Sequence, residues 1–217
     1  MSQHTLTLLR FTYKKLKENL TVSDSKKLFH EQFPYVIPGL YKRIVDEMLV
    51  ELNLLHHQNE FIQDYLFCVG LTETFKELTK GYKPDKHLEL LFESLCYATN
   101  FEAKEIKEIS QKSQKEFENK SSKDLLKLLK EKGNSKLYPS RILNLGIYII
   151  ISKSIDLKGE SESVTKKVIF DIYEKLDLSS NKAEKDIGIY TSTISKMEQA
   201  KELIEELKIK DKKEKKQ

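Results

Sequence analysis

The segment from Pro38 to Leu55 repeats its apolar residues at the spacing of one face of an α-helix. The stripe consists of Tyr41, Ile44, Val45, Met48, Leu49, Leu52 and Leu55. It is sustained over about four turns, so an apolar face of that length must pack against other elements. The sequence therefore predicts a long amphipathic helix, opened by Pro38, inside a larger helical assembly.

Prolines, glycines and capping residues divide the rest of the chain into further helices. Pro34 ends the first of them near Phe33, because a proline disfavours helical geometry at the residue before it. The predicted helices run from a cap at Ser23 or Asp24 to Phe33, from Asp64 to Lys80 before Gly81, from a cap at Asp85 through Cys96, from Glu102 to Lys120, from Ser121 to Gly133 and from Val164 to Leu176. Ser121 and Asp124 have the spacing of a capping box.

The isoleucine-rich segment after Pro139 fits either a helix or a buried strand, since its β-branched residues suit both. Ile142, Leu145 and Tyr148 recur at helical spacing, and the chain shows no partner strand. We predict a helix here.

Composition supports an all-α fold. The 217 residues include 7 Gly and 4 Pro, and 33% are charged, a balance that favours surface helices over turn-rich β structure. We predict a multi-helix bundle with a long C-terminal coiled-coil helix, whose seam includes Ile187, Tyr190, Ile194 and Met197. The predicted divisions are an N-terminal arm (1–20), a bundle domain (21–178), the coiled-coil helix (179–207) and a charged flexible tail (208–217).

Charge and targeting signals narrow the functional classes. The formal net charge of +4 is spread among interleaved Lys and Glu, and the basic tail lacks aromatic residues, so we expect no nucleic-acid partner. The same basic residues favour peripheral contact with an anionic membrane instead. No segment has the length of a membrane span or the form of a secretory signal. Cys68 and Cys96 lie in apolar helical patterns and are expected to be buried thiols in a reducing compartment.

Catalytic motifs were not found: the chain has no phosphate-binding loop, zinc-protease motif, Cys-x-x-Cys pair or nucleophile elbow. We therefore predict a protein that is not an enzyme and has no cofactor. The nearest approach to a metal cluster is His56 and His57 with Glu60 and Asp64, where the long helix should end. A helix terminus also favours His through the helix dipole, so a metal-dependent enzyme stays a minor alternative.

Arginine is rare in this chain compared with lysine. The chain has 35 Lys but only three Arg, at positions 10, 43 and 141, so the planar guanidinium is used sparingly. We predict that Arg43 or Arg141 bridges to Asp46, Glu47 or Glu51 across a helix interface as a structural clasp. The competing interpretation is that the same residues, Arg43, Asp46, Glu47, Glu51 and Arg141, form a polar face that binds a partner.

Five sequence blocks resemble one protein family. They are TVSDSKKLF, P-x-LYKRIVDEMLVELNLL, F-x-x-D-x-LFCVGL-x-x-x-F, GYKP and YPSRILNLGIY, in that order between Thr21 and Tyr148. Together they resemble the thylakoid formation protein family, also described as a photosystem II biogenesis factor of cyanobacteria and chloroplasts. This chain has Lys42 where the family more usually has Arg, and Asn53 where the family has His.

The resemblance implies an all-helical protein without known enzymatic activity that acts in thylakoid organisation and photosystem II assembly or repair. It implies contacts with the membrane-bound AAA zinc protease of the thylakoid and with photosystem II subunits. The expected location is the cytoplasmic side of a cyanobacterial thylakoid membrane, because a chloroplast member would carry a long transit peptide. The alternative is a generic helical scaffold unrelated to photosynthesis.

Overall fold

The computed structural model describes residues 20–132 and 137–214, with residues 208–214 as backbone only. Over these residues the fold is all-α, as predicted, with two short 3-10 turns at Asp85–His87 and Ile155–Leu157 and no strand. The α-helices are α1 (Val22–Gln32), α2 (Gly39–His56), α3 (Tyr65–Leu78), α4 (Leu88–Ala98), α5 (Ala103–Phe117), α6 (Ser122–Lys132), α7 (Arg141–Ser152), α8 (Glu162–Lys175) and α9 (Ser180–Glu214). The predicted arm up to residue 19, the helix end at Gly133 and residues 215–217 lie outside the described residues.

One compact unit comprises the described residues up to Gln63 together with Gly81–Ile109. Helices α1, α2 and α4 pack on one another within it. All positions of the α2 stripe are buried, which confirms the prediction from helical spacing. Tyr41 from that stripe packs edge-on against the buried Tyr82, with ring centroids 5.1 Å apart.

The start of α1 differs from the prediction. Thr21 is the N-cap and Asp24 is the third helical residue, so neither Ser23 nor Asp24 caps the helix. The Thr21 hydroxyl accepts a hydrogen bond from the Asp24 amide at 3.2 Å, and the Asp24 carboxylate accepts one from the Thr21 amide at 3.0 Å. This reciprocal pair is a capping box, which satisfies two amides where a single Ser or Asp cap satisfies one. It also lowers the pKa of Asp24 through the Thr21 hydrogen bonds.

A second local prediction was wrong. Asp85 lies inside a 3-10 turn and pairs with Lys83 at 2.7 Å, and it does not cap α4. His87 is the N-cap of α4 and makes no side-chain capping bond. The turn has the spacing of a helix start, but its hydrogen bonds are one residue shorter than those of an α-helix.

The other compact unit comprises residues Asp64–Lys80 and those from Ser110 onward. Helices α3 and α7 lie along each other at its centre, and α9 packs on both. The isoleucine-rich α7 is a helix, as predicted, and begins after Ser140, whose hydroxyl accepts a hydrogen bond from the Leu143 amide at 3.1 Å. Cys68 in this unit and Cys96 in the other are both buried, as predicted.

Helix α9 is longer than predicted. It continues to Glu214, so residues 208–214, predicted as a flexible tail, have helical backbone. Its buried side chains end at Met197. The coiled-coil interpretation of this helix stays a prediction. Among the described residues, none of the helices combines the length and apolar character needed to cross a membrane.

Candidate functional site

The polar face of α2 carries an ion pair within one helix. Arg43 Nε lies 2.7 Å from Glu47 Oε1, and the Arg43 side chain is 89% exposed. The hydrogen bond that Arg43 donates to the Glu47 carboxylate raises the pKa of Arg43 further above its ordinary value, so the guanidinium is always charged. The pair is intrahelical, so it does not clasp two helices together as we predicted for Arg43.

A lysine of α1 makes an ion pair with this face of α2. Lys26 Nζ of α1 lies 3.6 Å from Asp46 Oδ1 of α2, with both side chains partly exposed. Glu51 is half-buried further along α2, and Arg141 is the first residue of α7 in the other unit. For Arg141 the clasp stays a prediction, as does the partner-binding role of the whole set.

An exposed apolar loop connects α1 to α2. Its sequence from residue 34 to 38 is Pro-Tyr-Val-Ile-Pro, and Val36 at its tip is 92% exposed. Tyr35 is 46% exposed and stacks on His87 with ring centroids 3.9 Å apart. Pro34 and Pro38 each fix one backbone φ angle, and the stacking of Tyr35 on His87 restrains the residue before Val36. The backbone that carries Val36 is therefore restrained.

A groove of about 320 Å³ lies beside this loop. Phe29, Phe33 and Val45 line it with buried apolar surface, and the polar side chains of Lys42 and Asp46 also line it. Groove and loop are continuous, because Val36 and Ile37 belong to both. The exposed apolar residues of the loop therefore lie next to charges of both signs.

The residues considered for metal binding are engaged elsewhere. His57 Nδ1 lies 2.7 Å from the Asn53 carbonyl oxygen, and His56 Nε2 lies 3.0 Å from the Asn100 amide nitrogen. Asp64 is the N-cap of α3 and accepts a hydrogen bond from the Phe67 amide at 2.8 Å, while burial raises its pKa. Within residues 20–132 and 137–214, no three His, Cys, Asp or Glu side chains are grouped so that they could hold a metal ion.

Sequence reasoning did not select Tyr35 and Val36. Pro34 and Pro38 were interpreted only as the end of one helix and the start of the next. Three apolar residues between two prolines also indicate an apolar loop. Residues of a short loop between two prolines have no helix face of their own that packs into the core. Exposure of their apolar side chains is therefore expected.

These features define an all-α protein with a groove and a stiff apolar loop on one surface. A model of the family described as "Thylakoid formation protein" matches residues 21–217, and the chain belongs to this family. The resemblance seen in the five sequence blocks is thereby confirmed. Membership implies a role in thylakoid and photosystem II biogenesis.

Relatives and a solved structure agree with this assignment. "Protein Thf1" of Prochlorococcus marinus strain MIT 9312 is 79% identical over 198 residues, covering 91% of this chain and 98% of its own length. "Protein Thf1" of Prochlorococcus marinus subsp. pastoris strain CCMP1986 / NIES-2087 / MED4 is 71% identical, with coverage of 93% and 100%. A structure of Psb29 at 1.55 Å superposes with a TM-score of 0.80 at 25% identity, covering 92% of this chain and all of that one.

Proposed function

We propose that this chain is a non-enzymatic accessory protein in thylakoid biogenesis and photosystem II assembly or repair, acting through contacts with the membrane-bound AAA zinc protease. The family membership is the observation that carries this proposal. Photosystem II subunits are the second expected class of partner. The chain is expected on the cytoplasmic side of the thylakoid membrane, in peripheral contact with it.

The Pro34–Pro38 loop and the adjoining groove are the surface we assign to the protease. Val36 is 92% exposed, and burying it against a partner would remove apolar surface from water. The neighbouring charges are of both signs: the acidic Asp46 and Glu47 lie among the basic Lys26, Lys42 and Arg43. Mixed charge suits a protein partner better than an anionic lipid surface, which attracts a strongly positive patch.

Capture from membranes tests the proposal. An affinity-tagged form of the full chain is incubated with detergent-solubilised cyanobacterial thylakoids, and the retained proteins are identified by mass spectrometry. We expect the protease, and photosystem II subunits with it, in excess over a tag-only control. A capture that retains neither contradicts the proposed function.

Membrane attachment is tested separately. Because charge holds a peripheral protein at a lipid surface, high salt is expected to release the chain from isolated membranes. Retention through both high salt and alkaline washing contradicts peripheral attachment.

A further inference from the structure

A cavity of about 440 Å³ lies within the compact unit that contains α3 and α7. Four buried apolar side chains line it: Val69 of α3, Phe117 of α5, and Ile149 and Ile150 of α7. Its volume and apolar lining are those of small-molecule sites in proteins. The Pro34–Pro38 loop belongs to the other unit, so a ligand here contacts residues that take no part in the proposed protease contact.

Basic side chains lie beside this apolar surface. The described residues that line the cavity include three lysines and one glutamate, Glu118. Lys153 Nζ lies 2.5 Å from Glu73 Oε2 of α3, so the protein itself neutralises that charge. Lys115 and Lys158 are exposed, and neither makes an ion pair with a residue that the structure describes. Glu118 therefore balances only part of the positive charge of the lining.

Hydrogen bonds hold two sides of the cavity together. The Ser122 hydroxyl and amide donate to the Asp156 carboxylate at 2.6 and 2.8 Å. Ser122 follows the lining residue Phe117 along the chain, and Asp156 precedes the lining residue Lys158. Because these contacts form within the protein, a ligand does not have to order the two segments when it binds.

We propose that this cavity binds a free amphiphilic carboxylate, a molecule with one apolar chain and one carboxylate head. The chain packs on Phe117, Ile149 and Ile150 and leaves water, and the head pairs with Lys115 and Lys158. A neutral ligand gains nothing from the lysines, and a small anion gains nothing from the apolar surface. With Glu118 beside the two lysines, the excess of one positive charge matches a head that carries a single negative charge.

Isothermal titration calorimetry of the full chain with sodium decanoate, below its micelle concentration, tests the site. We expect saturable binding of about one decanoate per chain, as for a single pocket. Butyrate has the same head on a short chain, and 1-decanol has the same chain without the charge. Each should bind at least about tenfold more weakly than decanoate. Absence of decanoate binding, or equal binding of 1-decanol, overturns the proposal.

Charge reversal tests the two lysines. Substituting Lys115→Glu and Lys158→Glu together is expected to weaken decanoate binding about tenfold or more. The matched control is Lys167→Glu with Lys196→Glu, which changes the net charge equally at exposed positions outside the cavity lining. All four lysines are exposed, so both variants should keep the far-UV circular dichroism of the natural chain. Equal losses of binding in the two variants overturn the assignment, because net charge alone would then explain them.

Isoleucine methyl NMR of the natural chain locates the ligand without any substitution. Decanoate should shift the methyl signals of Ile149 and Ile150, which line the cavity. The signal of Ile37, which lines the groove beside the Pro34–Pro38 loop, should stay in place. Shifts at Ile37 without shifts at Ile149 and Ile150 overturn the proposal, because decanoate would then bind the exposed loop.

Flotation with phosphatidylglycerol vesicles distinguishes a free ligand from a membrane lipid. We expect the variant at Lys115 and Lys158 and its matched control to float to the same extent, because both carry the same net charge. A loss of flotation confined to the variant at Lys115 and Lys158 overturns the assignment to a free carboxylate, since these lysines would then contact a membrane lipid.

Discussion

Gly70 of α3 and Gly146 of α7 lie against each other's helix backbone. A Cβ built at Gly70 would lie 2.1 Å from the Ile142 carbonyl oxygen, and one built at Gly146 would lie 2.1 Å from the Leu66 carbonyl oxygen. Neither backbone oxygen can move aside as a flexible side chain would. Two glycines facing each other therefore set the distance between the two central helices of this unit.

Adding a methyl group at either position is expected to destabilise the protein. Gly70→Ala and Gly146→Ala should each lower the free energy of unfolding by about 1–3 kcal/mol or more, because the helices must separate and lose contacts. Urea unfolding followed by far-UV circular dichroism measures the change. Gly188→Ala is the control: it is exposed in α9 with no atom within 4 Å of its Cβ, so it should stabilise by up to about 1 kcal/mol. Equal effects at all three glycines would contradict the close contact.

Asp64 caps α3, but burial destabilises its charged form, so its contribution to stability depends on pH. Asp64→Ala should lose about 1 kcal/mol of stability, because the Phe67 amide loses its acceptor. Asp64→Asn keeps an oxygen acceptor without a buried charge, so at about pH 7 it should be at least as stable as the natural protein.

The sign of the pH effect follows from burial, which raises the folded-state pKa of Asp64 above the unfolded value of about 3.9. The folded state therefore takes up this proton first as pH falls. As pH falls from the folded to the unfolded pKa of Asp64, the natural protein should gain stability relative to Asp64→Asn. Urea unfolding of both proteins across this pH range measures the difference. A loss of stability relative to Asp64→Asn over the same range would show that the folded state stabilises the charged carboxylate.

Asp156 is predicted to have the opposite effect of pH on stability from that of Asp64. Desolvation raises its pKa, but hydrogen bonds from the Ser122 hydroxyl and amide, at 2.6 and 2.8 Å, outweigh this and lower it. Its contribution to stability should be present above about pH 4 and lost as pH falls through the folded pKa. Asp156→Asn should therefore be less stable than the natural protein at neutral pH, with the difference vanishing in acid. A difference that persists at the lowest pH would disprove the role of the charge.

A buried tyrosine supports the carbonyl of Asn144. The Tyr173 hydroxyl donates to the Asn144 carbonyl oxygen at 2.5 Å, while the Asn144 amide donates to Asp186 at 2.7 Å. Tyr173→Phe should cost about 1–2 kcal/mol, because a buried acceptor loses its donor. Tyr148→Phe, a half-buried position beside Tyr190, should change stability by less than about 0.5 kcal/mol. Similar losses for both, by chemical denaturation, would argue against the hydrogen bond.

The helices were predictable where one residue pattern decided them. The α2 stripe predicted its buried face, and the Ser121 and Asp124 spacing predicted the cap of α6, where the Asp124 amide donates to the Ser121 hydroxyl at 3.2 Å. The cap of α1 was missed because Ser23 and Asp24 are also residue types that cap helices, and only the reciprocal hydrogen bonds of Thr21 with Asp24 identify Thr21 as the cap.

Features that need two distant segments were not predictable from spacing. Gly70 and Gly146 face each other only because α3 and α7 pack along their length. Asn53, singled out only as a departure from the family, is buried and donates to the Ser25 hydroxyl at 2.8 Å and the Leu20 carbonyl oxygen at 2.9 Å. The Arg43 pair was available from i, i+4 spacing, but its exposure depends on where α1 and α4 pack against α2.

The most direct test of the central claim compares one loop substitution with a matched control. Purified thylakoid AAA protease in detergent is titrated with the natural chain, with Val36→Asp and with Val164→Asp, a valine 40% exposed in the first turn of α8. We expect the natural chain and Val164→Asp to bind alike, and Val36→Asp to bind about tenfold more weakly or worse. No binding by the natural chain would contradict the protease contact. Equal binding by Val36→Asp would contradict the assignment of that contact to the Pro34–Pro38 loop.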